Sequence, residues 1–227
     1  MKPANFGAAK KPLHLLTLAL LLGGATASAQ TATMTATVDG KAWSAPVQKL
    51  RLPFPGHVKY LGLAGMAVKP DVQLWIRLLY TGDKLKPGTY EVIPQDGSEY
   101  ERVYKQSSGT DVTWALVDYT EETKGLGHAF RDGESWKGTV TITKVTDTSI
   151  EGTFEATMKG VTYKKRGFAT ATGAGLFANL EDKAITKAGG GMLVKGDPHD
   201  HDNTKKTGTT DDIVVKDGKF SLSWEKK

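Results

Sequence analysis

The chain has 227 residues, a formal net charge of +5 and no cysteine. Without cysteine there are no disulfides, thiolate metal sites, cysteine nucleophiles or acylated lipoprotein cysteines, so folding rests on a hydrophobic core, for which this length suffices. Lysines and acidic residues are interspersed, without the basic stripe that nucleic-acid binding requires.

The first segment places Lys2, Lys10 and Lys11 ahead of an apolar run from Leu13 to Leu22, followed by Gly23-Gly24 and the small residues Ala27-Ser28-Ala29. This is the pattern of a secretory signal peptide over residues 1–29, with cleavage expected after Ala29. Its apolar run is about half the roughly twenty residues that span a bilayer, and no later stretch is apolar enough to cross one. The expectation is an exported product, periplasmic or secreted, with no transmembrane segment and no lipid anchor. Residues 1–29 carry three lysines and no acid, so the remainder has a net charge of +5 − 3 = +2.

From Thr33, threonines alternate with Met34, Ala36 and Val38 up to Asp39-Gly40. Period-two alternation predicts a strand with one buried face, and Asp-Gly is the signature of a tight hairpin. Pro53 and Pro55 predict a loop or an interrupted edge over 50–56, with pairing resuming near Val58. Residues 60–68 and 72–80 read as neighbouring strands, the second with Val72, Leu74, Ile76 and Leu78 inward and Gln73, Trp75 and Arg77 outward. Shorter strands are predicted at 89–93, 100–105 and 112–119, and 121–134 reads as an exposed polar loop.

Alternation returns at Val140 and Ile142 and, after a turn at Thr146-Asp147-Thr148, at Ile150, Phe154, Ala156 and Met158. Residues 160–212 form an irregular insertion in which Leu176, Leu180 and Ala184 fall at the spacing of one short helix. An Asp217-Gly218 turn then introduces a closing strand with Phe220, Leu222 and Trp224 on one face. Together these elements predict an all-β protein, an antiparallel sandwich or barrel with at most one short helix in the C-terminal insertion. The main domain covers 30–159, and 213–227 adds its closing strand.

Three segments, TATVDGKAWSA (35–45), SIEGTFEAT (149–157) and IVVKDGKFSLSW (213–224), resemble a family of exported bacterial all-β domains of unknown function. The resemblance implies a β-domain bracketed by its first and last strands, and no chemistry. Residues 159–212 depart from the pattern as an insertion.

Candidate chemistry is sparse. Asp197, His199, Asp200, His201 and Asp202 place two imidazoles and three carboxylates in six residues, ligand types that suit a divalent metal; a solvated loop is the competing reading. A calcium loop through Asp200, Asp202, Thr204 and Asp211 lacks glycine at its sixth position, Lys205, and glutamate at its twelfth. No Gly-x-Ser-x-Gly elbow accompanies His57 or His128. Asp118 with Glu151 or Glu155 would serve glycoside chemistry only if the fold set them at the right separation.

Trp43, Trp75, Trp114, Trp136 and Trp224 fall about one per strand, where packing is the ordinary role. Trp75 and Trp136 share a parity with polar neighbours and are the candidate exposed ligand pair. The function expected is a non-enzymatic domain that binds a small molecule or an envelope component. The alternatives are a metal-binding protein using the 197–202 cluster and an envelope-polymer hydrolase; beyond that possible divalent metal, no cofactor is expected.

Overall fold

The computed structural model describes residues 32–50, 58–67, 72–95, 111–123, 129–165, 199 and 204–225. Asp197, Asp200, His201, Asp202, His57, His128, the strand expected at 100–105 and the helix expected around 176–184 lie outside these residues.

Ten strands make one sheet: β1 (Thr33–Val38), β2 (Lys41–Leu50), β3 (Lys59–Ala67), β4 (Val72–Tyr80), β5 (Gly88–Val92), β6 (Thr113–Thr123), β7 (Ala129–Val145), β8 (Ser149–Lys165), β9 (Thr204–Thr209) and β10 (Ile213–Ser223). Every ladder is antiparallel except the single β5–β6 bridge at Val92 and Ala115. The pairings β10–β8 and β6–β7 close the sheet on itself. The cycle β1-β2-β3-β4-β6-β7-β8-β10 is therefore a barrel, and of the two expected architectures the hydrogen bonding selects this one. β5 wedges between β6 and β7 at one end, and β9 continues the line of β10 along the far part of β8.

An eight-stranded barrel has an interior just wide enough for side chains to fill, and here they fill it. Met34, Leu63, Leu74, Ile76, Leu78, Val140, Ile150, Phe154, Met158 and Ile213 are all at most 2% exposed. Phe154 and Phe220 meet with ring centroids 6.3 Å apart at 39°, a tilted geometry worth about 0.5–1.5 kcal/mol beyond area burial. The alternation expected for β1, β4, β7 and β8 places Met34, Leu74, Ile76, Leu78, Val140, Ile150, Phe154 and Met158 inward, as it does Phe220 on β10.

Asp39 (φ 47°) and Gly40 (φ 76°) make the β1–β2 hairpin turn, the conformation that Asp-Gly favours. Asp217 (φ 53°) also adopts the left-handed region, but the chain does not reverse there. β10 runs straight through Asp217-Gly218 as a bulge against β1 and β8, which curves the strand round the barrel. The turn expected from that dipeptide is a bulge.

Two further expectations change. The loop expected at 121–134 is mostly strand, since β6 runs to Thr123 and β7 starts at Ala129. The insertion is shorter than expected, since β8 continues to Lys165 and Thr204–Thr209 forms β9. In both cases sheet pairing overrides a polar composition that locally favours a loop.

Candidate functional site

The two ends of the barrel differ. At one end polar side chains bridge neighbouring strands: Arg131 Nη2 donates to Asp39 Oδ2 at 2.9 Å, its Nη1 is 3.9 Å from Glu121 Oε2, and the Tyr119 hydroxyl donates to that same Glu121 oxygen at 3.0 Å. Burial, reinforced by the neighbouring Glu121 carboxylate, pushes the Tyr119 hydroxyl well above its ordinary value and keeps it protonated as a donor.

At the opposite end the inward positions lie at the strand ends: Lys49 near the end of β2, Lys59 at the start of β3, Tyr80 and Val145 at the ends of β4 and β7, and Trp224 just past β10. Together with Leu61, the β4–β5 connection (Asp83, Lys84, Leu85) and the β7–β8 turn (Thr146, Asp147), they line an open cup of about 1180 Å³.

Trp224 is fixed there at three points. Its backbone N–H bonds Thr148 O at 2.8 Å, its indole N–H bonds Asp147 O at 2.8 Å, and Lys49 Nζ sits 3.7 Å above its ring centroid. The β7–β8 turn that carries Asp147 is itself closed by Thr146, whose N–H bonds Ser149 O at 2.9 Å and whose hydroxyl accepts from the Thr148 N–H at 3.2 Å. Lys59 Nζ donates to Gly82 O at 2.9 Å and Asp83 O at 3.0 Å, and Lys84 Nζ lies 3.1 Å from Asp147 Oδ1. The rim is thus preorganised yet wet, with Lys84 78% and Asp147 55% exposed.

A second polar constellation lies on the outside wall. Arg77 on β4, read from alternation as an exposed residue, is 3% exposed, because its face is covered. Its Nε donates to Asp118 Oδ2 at 2.7 Å, and its Nη2 donates to Asp118 Oδ1 at 2.8 Å and to Gln95 Oε1 at 2.5 Å. Gln95 is held by its own N–H to Ser135 O at 2.8 Å, at the bulge in β7.

His199 inserts against this wall, its side chain 4% exposed. Its Nε2 is 3.5 Å from Asp118 Oδ1 and its Nδ1 3.1 Å from Asp132 Oδ2, and Tyr163 stacks on its ring at 6.3 Å and 7°. Thr120 donates to Asp132. Burial pushes the Asp118 carboxyl up, but the Arg77 guanidinium and then His199 outweigh it, so its pKa is held below the usual carboxylate value.

Of the metal candidates, only His199 falls within the described residues, and both its nitrogens face carboxylates drawn from β6 and β7. Among the described residues no group of three or more His, Asp or Glu side chains is arranged to hold a metal ion. Thr204 and Lys205, part of the calcium-loop register, lie in the extended strand β9.

Trp75 and Trp136 stand on β4 and β7 with β6 between them. Trp75 is partly buried and donates to Gln73 Oε1 at 3.1 Å, whereas Trp136 is 37% exposed with Lys159 Nζ 5.0 Å over its ring. The carboxylate that the fold brings near Asp118 is Asp132, and both are fully buried, while Glu151 pairs with Lys144 at 2.9 Å on the β7–β8 ladder.

The fold and the mouth define a closed antiparallel β-barrel with an open cup at one end. Comparison of the chain with protein-family models, curated proteins and solved structures finds no match in any of the three.

Proposed function

We propose that this chain is an exported, extracytoplasmic ligand-binding barrel of the β-domain family it resembles, which holds a small molecule at its open end without converting it. One observation carries the binding reading: the barrel's centre is filled by side chains, while its open end keeps a preorganised cup of about 1180 Å³. Barrel mouths that combine apolar walls with a few convergent polar groups are recurrent small-molecule sites. The leader pattern over residues 1–29 supports export, which N-terminal sequencing of material from the envelope fraction checks by finding Gln30 first.

The binding reading is tested with 8-anilinonaphthalene-1-sulfonate, a dye that brightens in partly apolar sites. The native protein is expected to bind it saturably with energy transfer from tryptophan. Val145→Trp, which fills the cup from its partly exposed wall, is expected to abolish that signal while leaving the circular dichroism unchanged. A native state that ignores the dye, or a Val145→Trp variant that binds it as well as the parent, removes the mouth as the site.

A further inference from the structure

The cup is wide but shallow. One inward position deeper along the lining strands come Leu63 after Leu61, Leu78 before Tyr80, and Leu222 before Trp224, with Ile142 and Ile150 beside them, all 0–6% exposed. A ligand is therefore held in the cup itself, with no bore below it into which to thread a hydrocarbon chain.

The rim carries no net charge: Lys49, Lys59 and Lys84 (+3) stand against Asp83, Asp147 and Glu225 (−3), giving zero. Two of these pairs are closed, Lys59–Asp83 at 3.5 Å and Lys84–Asp147 at 3.1 Å. A balanced rim concentrates neither anions nor cations. What it offers is a ring of donors and acceptors around a floor of Leu61, Leu85, Tyr80 and Trp224.

The matching chemistry is an uncharged ring with one apolar C–H face and a hydroxyl-bearing edge. Amphipathic aromatic side chains favour such a ligand, because they supply rigid apolar area beside polar groups. The volume of about 1180 Å³ exceeds the roughly 300–1,000 Å³ common for small-molecule pockets, so more than one ring fits.

Taking the mouth as the binding site, we infer that its ligand class is a neutral oligosaccharide, with sugar faces laid on Tyr80, Trp224 and the Leu61–Leu85 floor and hydroxyls held by the lysine and carboxylate rim. The experiment follows the Trp224 indole N–H by ¹⁵N-edited NMR while cellotetraose, chitotetraose or decanoate is titrated into the folded protein. At least one tetrasaccharide is expected to shift that resonance saturably, and decanoate is not.

Trp224→Leu is expected to weaken the glycan at least tenfold, read from other mouth resonances. Should that variant fail to fold, the exposed double variant Lys84→Ala/Asp147→Ala is expected to weaken it severalfold. Decanoate binding at the mouth in place of both sugars overturns the oligosaccharide class and leaves the mouth reading standing. Glycan shifts confined to other surfaces, glycan affinity unchanged in the variants, or no response to any of the three probes overturns the inference.

Discussion

The outer-wall cluster and the mouth rim are built from the same side-chain types, basic groups facing carboxylates, yet they sit at opposite extremes of solvent access. In the first, Arg77, Asp118 and His199 are 0–4% exposed, and Arg77 grips both carboxylate oxygens of Asp118. In the second, Lys59, Lys84, Asp83 and Asp147 are 42–109% exposed, and their pairs are single contacts of 3.1–3.5 Å.

Burial makes each charge in the cluster depend on its partners, because an uncompensated ion there has no water to replace them. At the rim, water and salt screen the same charges, so the pairs are cheap to open. The wall cluster is thus suited to fixing His199 onto the barrel, and the rim to exchanging its own contacts for those of a ligand.

The largest expected effect breaks the cluster. Arg77→Met leaves Asp118 buried without its guanidinium and is expected to cost about 3–5 kcal/mol in urea unfolding. A loss under about 1 kcal/mol would show that the cluster is as dispensable as the rim.

Asp118→Asn sharpens the comparison through pH. Its amide still accepts from Arg77, so the expected cost at pH 7 is roughly 1–3 kcal/mol. Because the folded carboxyl titrates below its unfolded value, its stabilising contribution is complete above the unfolded carboxylate range, about pH 4, and is lost as pH falls through the folded value. The gap between parent and Asp118→Asn in urea midpoint is therefore expected to narrow below about pH 4; a gap that stays constant or widens in acid contradicts the assigned coupling.

The smallest effect is at the rim. Lys84→Ala removes an exposed pair and is expected to change stability by about 0–1 kcal/mol, with even that difference vanishing in 1 M salt. A salt-insensitive loss of several kcal/mol would mean that the rim is structural after all.

Much of the barrel was legible locally. The alternation of Met34, Ala36 and Val38, of Val72 to Leu78 and of Ile150 to Met158 gave correct inward faces, and Asp39-Gly40 gave its hairpin. Asp217-Gly218 was misread because the same dipeptide suits a turn and a bulge, and only the partners on β1 and β8 decide between them. Asp132 was hidden in an expected loop, because its segment is polar and becomes strand through pairing with β6 and β8. His199 drew notice for its neighbours in sequence, whereas its neighbours in space come from residues 118, 132 and 163.

The mouth had a faint sequence signal, in that Trp224 ends the predicted face of the closing strand and Tyr80 continues the inward parity of the predicted strand at 72–80. Turning that into a site requires knowing that those strand ends gather at the same end of one barrel.

The sequence by itself determined the strands of clear alternation and which of their faces points to the core, because side-chain direction alternates with every residue and polarity reports it. Barrel closure, the cup at one end, and the burial of Arg77 were decided only by tertiary structure, since each depends on which distant strand lies alongside and on what covers the outer wall. No local pattern encodes those partners.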